Sequence, residues 1–183
     1  MITFKTVLVV AAMAAVAGAA HAEPTAFAAF STVCGDTRAA FAAVGSAADG
    51  KGWHTAQQMG GAAMAGVTVA DRLSRANKLG DAPLALSAWH GATKSGIQVS
   101  DCTVRVDKTD YAQEIAGAQA WTGFTAQETA ARKAIFRFTD IDGVRRGLAS
   151  GEYDAAAAGP GMEILTITSD SQGTTLDLLR IKK

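Results

Sequence analysis

The hydrophobic pattern of the chain begins with a helical arm that runs from Phe27 to Trp53. Apolar residues recur at three- and four-residue steps up to Cys34, which is the spacing of one helix face. Gly35-Asp36-Thr37 interrupts this face, and Asp36 or Thr37 can cap a second helix. The glycine-rich stretch 49–52 ends that helix. The pattern therefore predicts two consecutive helices followed by Trp53.

Alternation of apolar and polar residues begins at Leu84 and is typical of β-strands. Lys94-Ser95-Gly96 predicts a turn into a second strand that ends at Val106. In the first part of this second strand the apolar residues, such as Val99, have odd numbers. From Cys102 onward they have even numbers. Because side chains alternate between the faces of a strand, the change predicts a bulge near Ser100-Asp101. The face with Cys102 is expected to lie against the arm.

The rest of the chain predicts one more helix and further strands. Thr109 or Asp110 starts a helix with an apolar side at Tyr111, Ile115, Ala118 and Trp121. Residues 134–141 alternate as a strand, and residues 162–182 form a hairpin by pattern, with its turn at 170–173. We therefore predict an α+β domain. It has an antiparallel sheet with strands in 84–106, 134–141 and 162–182, and helices packed on one face.

Three segments have less regular patterns. Residues 56–79 predict a loop followed by a helix from Val69 to Lys78, ended by Gly80, with Asp71 facing water. Residues 143–151 predict a connection or a short helix, and residues 153–161 predict an Ala/Gly loop.

Residues 1–22 have the pattern of a cleaved secretory signal peptide. Lys5 precedes an apolar run, and Ala20-His21-Ala22 places small residues at the positions that signal peptidase reads. The alternative is a membrane-anchoring helix, but the run is shorter than the roughly 20 residues that a span needs. We expect residues 23–183 to form a single domain in the periplasm or outside the cell, with no membrane span after cleavage.

Cys34 and Cys102 are the two cysteines of the chain. In an exported protein a pair of cysteines favours one disulfide, so we predict that they join the arm to the second strand. The alternative is two free thiols. The wide spacing does not match a metal or thioredoxin-type motif, which argues against redox catalysis.

The charge and the motifs exclude several functions. The 17 basic and 17 acidic residues balance, so the chain has no electrostatic signature for nucleic acid. No zinc, calcium, phosphate-loop or dinucleotide motif occurs, and we predict no metal and no cofactor.

No serine lies in a hydrolase motif, so we name no catalytic residue. A spatial triad of Ser87, His90 and Asp81 is conceivable. Asp140 and Asp142 flank Ile141 as a carboxylate pair, although Asp142-Gly143 is a common turn sequence.

Two histidines of the predicted mature chain each follow a tryptophan. Trp53, His54, Trp89 and His90 are our candidates for ligand or partner contacts. Tryptophan also serves as packing, and strand alternation places Trp89 and His90 on opposite faces.

The order of these features resembles a group of small exported proteobacterial proteins with no established activity. The features are Cys34, Gly35-Asp36, Gly52-Trp53 and the second cysteine in Cys102-Thr103-Val104. The resemblance covers the first two-thirds of the predicted mature chain, and it implies export and an α+β architecture.

The leading hypothesis is therefore a periplasmic binding or envelope-interaction module without catalysis, whose partner is an unknown small molecule or envelope protein. One alternative is a small envelope hydrolase whose site is assembled only in space. It would require Ser87, His54, His90 and Asp140 to converge. The other alternative is an inhibitor or partner subunit with an exposed apolar patch near Trp89 or the last hairpin.

Overall fold

A computed structural model describes residues 25–57 and 64–183, and the predicted signal peptide lies outside these residues. The described residues form one antiparallel sheet of nine strands with four α-helices. The helices are α1 (Ala26–Phe30), α2 (Phe41–Gly50), α3 (Tyr111–Thr122) and α4 (Tyr153–Ala158). The strands are β1 (His54–Thr55), β2 (Val67–Leu79), β3 (Ala82–Thr93), β4 (Gln98–Val106), β5 (Glu128–Ala130), β6 (Lys133–Ile141), β7 (Val144–Gly147), β8 (Met162–Asp170) and β9 (Gly173–Lys182). The α+β prediction is confirmed.

The strand order across the sheet is β1-β2-β3-β4-β9-β8-β6-β5, and β7 also pairs with β6. The predicted hairpin at the end of the chain is present, because β8 and β9 pair from Met162–Ile181 to Asp170–Gly173. β9 also pairs with β4 over the whole length of β4, so the carboxy-terminal strand lies in the middle of the sheet.

The main core lies between one face of the sheet and the helices α1 to α3. Successive residues of a strand point to opposite faces, and this face carries every second residue of the central strands. Its buried members include Leu86, Cys102, Val104, Phe136, Phe138, Leu165, Ile167, Leu176 and Leu178. The opposite face carries a smaller cluster of Leu148, Ala156, Ala157 and Met162, so α4 covers that side.

The disulfide between Cys34 and Cys102 joins the arm to β4, as predicted. The Sγ atoms are 2.00 Å apart and the Cα atoms 5.5 Å apart. Cys34 lies in a π-helical turn, Ser31–Gly35, that continues α1, and both cysteines are fully buried. The arm therefore packs on the face that also carries Val104 and Val106.

A buried carboxylate from α3 holds the start of the arm. Glu114 is fully buried and accepts hydrogen bonds from the backbone N–H groups of Ala26 and Phe27 and from the Thr109 hydroxyl. The first N–H groups of a helix have no partner within the helix, so Glu114 supplies one from a distant part of the chain. Close packing reinforces the contact, since a Cβ at Gly117 would lie 2.9 Å from the Phe27 ring.

The prediction of a helix from Val69 to Lys78 is wrong. This segment belongs to β2, which pairs with β3 from Val67–Thr93 to Leu79–Ala82. β2 lies near an edge of the sheet, where polar residues are tolerated on both faces and the period-two pattern is weak. Pairing with β3 decided the structure here, because local propensity is a weak signal.

The predicted bulge at Ser100-Asp101 is also wrong. β4 pairs with β3 and with β9 in a continuous register from Gln98 to Val106. Val99 and Cys102 are both buried because both faces of this central strand are covered. The bulge lies instead in β2, between Val69 and Asp71.

Two predicted connections contain regular structure. Residues 144–147 form β7, and the segment predicted as an Ala/Gly loop contains α4. Within the described residues, no helix has the length and the apolar character needed to cross a membrane.

Replacing both cysteines by alanine should destabilise the fold. The disulfide links positions 68 residues apart, and the chain-entropy model gives a loss of about 4 kcal/mol for such a loop. Denaturant unfolding of the wild type with and without reductant measures this loss. The Cys34→Ala/Cys102→Ala variant is the control, because reductant should leave its midpoint unchanged. Equal midpoints for all four samples would contradict the prediction.

Glu114→Ala should lower the free energy of unfolding by about 3 kcal/mol, because it leaves buried backbone N–H groups without an acceptor. Gln113→Ala, at an exposed position of the same helix, is the matched control and should change it by less than about 0.5 kcal/mol. Urea denaturation followed by circular dichroism measures both. Similar effects from the two substitutions would show that Glu114 does not hold the arm.

Candidate functional site

Five polar side chains form a row across the arm-facing side of the sheet, near one end of its central strands. The register pairs Asp71 of β2 with His90 of β3, His90 with Ser100 of β4, Ser100 with Arg180 of β9, and Arg180 with Glu163 of β8. Directly opposite residues in antiparallel strands have Cβ atoms about 5 Å apart. We call these five residues the polar row.

The bulge in β2 brings Asp71 into the polar row. Val69 pairs with Gly91 and Asp71 with His90, so Ala70 is the extra residue. A Cβ on Gly91 would lie 2.2 Å from the carbonyl oxygen of Thr68, so only glycine fits at this crossing. Bulges re-aim side chains, and without this one Ala70 would face His90.

The Asp71–His90 pair is held from two sides. His90 Nε2 lies 2.9 Å from Asp71 Oδ2. The ring of Phe41, the first residue of α2, lies 4.8 Å from the imidazole ring between centroids. The imidazole is therefore oriented by β2 and by the arm, and its side chain remains 38% exposed.

An open groove of about 480 Å³ lies between the arm and this end of the sheet. Its lining consists of Ala40, Phe41 and Ala42 of the arm, and His90, Gln98, Val99, Ser100, Arg180 and Lys182 of the sheet. The disulfide adjoins the groove, because Cys102 is two residues from Ser100 on the same face of β4. The cross-link therefore fixes the distance between the two walls.

Glu163, at the other end of the polar row, is a buried charge centre. Its side chain is 0% exposed, and its Oε1 accepts from Arg38 Nε at 2.7 Å. Arg180 Nε lies 3.9 Å from the same oxygen. Burial raises the pKa of Glu163, while Arg38 and then Arg180 oppose the rise and Asp140 adds to it. Glu163 thus holds two arginines from different elements close together.

Arg38 reaches Glu163 from a strained segment of the backbone. Arg38 and Ala39 both have left-handed backbone conformations, with φ of 53° and 52°. Such conformations are costly for residues with a Cβ. Here the disulfide before them and the Arg38–Glu163 ion pair restrain the segment.

A second ion pair lies next to Glu163 on β6 and β7. Arg145 Nε lies 3.2 Å from Asp140 Oδ2, and the Arg145 guanidinium lies 3.7 Å from the centre of the Trp121 ring. Asp140 also accepts from the N–H of Gly143 in the β6–β7 turn. Asp142 lies in this turn with φ of 53° and is exposed, whereas Asp140 is buried and paired with Arg145.

Of the four residues predicted to contact a ligand or partner, His90 lines the groove. Trp53 is buried in the main core, and His54 is exposed in β1. Trp89 is 6% exposed and lies on the face of β3 opposite to His90. The two Trp-His pairs therefore do not form a joint site.

The residues that a hydrolase was expected to bring together are scattered. Ser87 lies on the face of β3 opposite to His90, His54 lies in β1, and Asp140 pairs with Arg145 on β7. His90 has instead Asp71 and Ser100 as its register neighbours. The sequence pattern does not identify Asp71 and Ser100 as neighbours of His90, because it predicts a helix at Asp71 and a bulge at Ser100.

A second polar cluster lies on the opposite face of the sheet. The Thr103 hydroxyl is 3.1 Å from Asp101 Oδ1 and 2.9 Å from Asp177 Oδ1. A hydroxyl has one proton to donate, so it satisfies both carboxyl groups only when one of them is protonated and donates to it. Burial, followed by the charge of Asp177, raises the pKa of Asp101 to about 8, and burial also raises the pKa of Asp177. The pair therefore holds one proton near neutral pH.

Because the Asp101–Asp177 pair holds this proton only in the folded protein, the free energy of unfolding should depend on pH. Asp101 has a pKa of 3.8 in the unfolded chain and about 8 in the folded protein, so the folded state binds the extra proton between these values. The free energy of unfolding should fall as pH rises from about 4 to about 8, by at most about 1.4 kcal/mol per pH unit for one proton. The raised pKa of Glu163 contributes in the same direction.

Asp101→Asn should remove much of this slope, and Asp36→Asn, at an exposed position, should retain it. Urea denaturation at a series of pH values measures the slope for each variant. An unchanged slope in Asp101→Asn would show that the pair does not hold the proton.

Among the described residues, no group of three or more histidine, cysteine or acidic side chains could hold a metal ion. Comparison with protein-family models, with curated proteins and with solved structures finds no match to this chain.

Proposed function

We propose that this protein is an exported binding module that holds a small anionic molecule in the groove between the arm and the sheet. The observation that carries the proposal is the charge of the lining. Arg180 and Lys182 are cations, and among the described residues no carboxylate lines the groove. A cleft lined by one sign of charge attracts the opposite sign.

The surrounding structure makes this groove suitable for binding. Arg180 Nε lies 3.9 Å from an oxygen of the buried Glu163, so electrostatic attraction favours a side-chain position beside that carboxylate. Phe41 and two alanines supply apolar surface, and His90, Ser100 and Gln98 supply hydrogen-bonding groups. An apolar wall with a few polar groups is typical of small-molecule sites.

The predicted signal peptide and the disulfide both support a periplasmic location for this module. Disulfides persist in oxidising compartments, and the cross-link adjoins the groove directly.

The exposure of apolar side chains supports a small ligand over a protein partner bound near Trp89 or the last hairpin. In the described part of the chain, the exposed large apolar residues are Met64, Ile141 and Val144. None of them belongs to the last hairpin, and Trp89 is buried.

Isothermal titration of the mature chain with succinate, citrate and phosphate tests the proposal, and uncharged succinamide is the matched ligand control. We expect at least one of the anions to bind and succinamide not to bind. The affinity should fall as salt rises from 20 to 200 mM, because the screening length for exposed charges decreases from roughly 20 Å to roughly 7 Å over this range.

Arg180→Met should weaken binding of that anion by at least about tenfold, equivalent to about 1.4 kcal/mol. Arg105→Met is the matched control, since Arg105 lies on the opposite face of β4 and contacts Thr175 and Asp170. Equal loss in Arg105→Met and Arg180→Met, or no binding of any anion, would refute the proposal.

A further inference from the structure

Asp71, His90 and Ser100 bring together the three chemical groups of an acyl-transfer site. They lie on three neighbouring strands in one row, and His90 is the central member. Such sites are recognised by the mutual geometry of an acid, an imidazole and a hydroxyl, whatever their order along the chain. His90 and Ser100 line the groove described above, and Asp71 contacts His90 from outside the lining.

We propose that the polar row is a hydrolytic site, in which Ser100 is the nucleophile, His90 the general base and Asp71 the residue that orients the imidazole. The substrate class is a small ester that carries an anionic group. This inference rests on the proposed binding of an anion in the same groove, and adds a reaction to it.

The Asp71–His90 contact sets the roles of the two ring nitrogens. Nε2 lies 2.9 Å from Asp71 Oδ2, so a proton on Nε2 is donated to the carboxylate. This leaves Nδ1 as the basic nitrogen, on the part of the ring closest to its own backbone. Ser100 is the register partner of His90 on the side away from β2, so the two side chains are neighbours on one face of the sheet. The reaction requires the Ser100 hydroxyl to rotate to Nδ1.

The bulge at Ala70 is the second observation that points to this site. The extra residue shifts the register of β2 by one position, and this shift places the Asp71 carboxylate opposite His90. It also requires a glycine at position 91. Bulges of this kind are over-represented next to active sites, where they re-aim a side chain.

Arg180 completes the arrangement on the other side of Ser100. It is the register partner of Ser100, so its side chain is long enough to extend to an oxyanion that forms on a substrate at Ser100. A cation at that position stabilises the tetrahedral intermediate. Lys182, farther along β9, is available for the anionic group of the substrate.

The reaction balances with water as the only co-reactant. Ser100 Oγ forms a bond to the acyl carbon as its proton moves to His90 Nδ1. The ester C–O bond then breaks, and the leaving alkoxide takes that proton. Water attacks the acyl-serine while His90 accepts its proton and returns it to Ser100 Oγ, which releases the acid. The open groove admits this water, and the Asp71 side chain is 66% exposed.

The test uses the mature protein with 4-nitrophenyl acetate, with the 4-nitrophenyl monoester of succinic acid, and with a fluorophosphonate that labels activated serines. We expect hydrolysis of both esters, faster for the succinyl ester, and a fluorophosphonate adduct that peptide mapping locates at Ser100. Ser100→Ala should abolish the adduct and reduce hydrolysis to background. His90→Gln should reduce hydrolysis by about 100-fold, since general-base catalysis contributes about that much or more.

Two matched controls separate this reaction from chemistry at exposed side chains. His54→Gln removes an exposed histidine that reacts with activated esters without a site, and Ser87→Ala removes a serine on the opposite face of β3. Both variants should retain the wild-type rate and the adduct at Ser100. Asp71→Asn should lower the rate constant of acylation and leave anion affinity within about twofold, which distinguishes a positioning role from a structural one.

The outcomes separate this inference from the proposed function. Anion binding without an adduct at Ser100, or with equal hydrolysis in wild type and Ser100→Ala, would overturn the hydrolytic site and leave the binding module standing. An adduct at another serine would also overturn it. Absence of both binding and labelling in folded protein would refute the two together.

Discussion

The covalent link between Cys34 and Cys102 is the constraint on which the arrangement of this protein depends. It fixes a short helical arm against the central strand β4, and α1 itself is only five residues long. A helix of that length is not stable by itself in water, so its position depends on tertiary contacts. The buried Glu114 holds its first turn, and the disulfide holds its end. The arm is thereby attached at two points to parts of the chain far away in sequence.

The same cross-link determines where the core ends and the groove begins. Cys102 lies in an apolar row across the sheet, with Ala88, Leu178 and Leu165 as successive register partners. The next row on the same face is the polar row. One step of two residues along the strands therefore changes the surface from packed core to hydrogen-bonding and charged groups. After Arg38 and Ala39 the arm continues along this row as one wall of the groove, where Phe41 contacts His90.

The charged residues at the two ends of the polar row differ in how deeply they are buried. Glu163 is the one fully buried acid of the polar row. It forms an ion pair with Arg38 of the arm, and Arg180 Nε of the sheet lies 3.9 Å from the same oxygen. Removing one partner of a buried ion pair is costly, so this centre also contributes to the attachment of the arm. At the other end of the row, Asp71 and His90 are partly exposed and bind each other. The groove is therefore lined by the cations Arg180 and Lys182 and by His90, whose imidazole contacts Asp71 outside the lining.

Sequence patterns determined the elements whose signals are local or chemically specific. The arm, the helix capped by Asp110, the strands around Leu86 and Phe136, the final hairpin and the disulfide all followed from periodicity, capping residues and cysteine chemistry. The tertiary structure alone decided β2 and the site. A strand near the edge of the sheet with polar residues on both faces has no clear period, so its identity depends on pairing with β3. The polar row takes one residue from each of five strands, and its members become neighbours only through register, including the extra residue at Ala70, which leaves no signal in the local sequence.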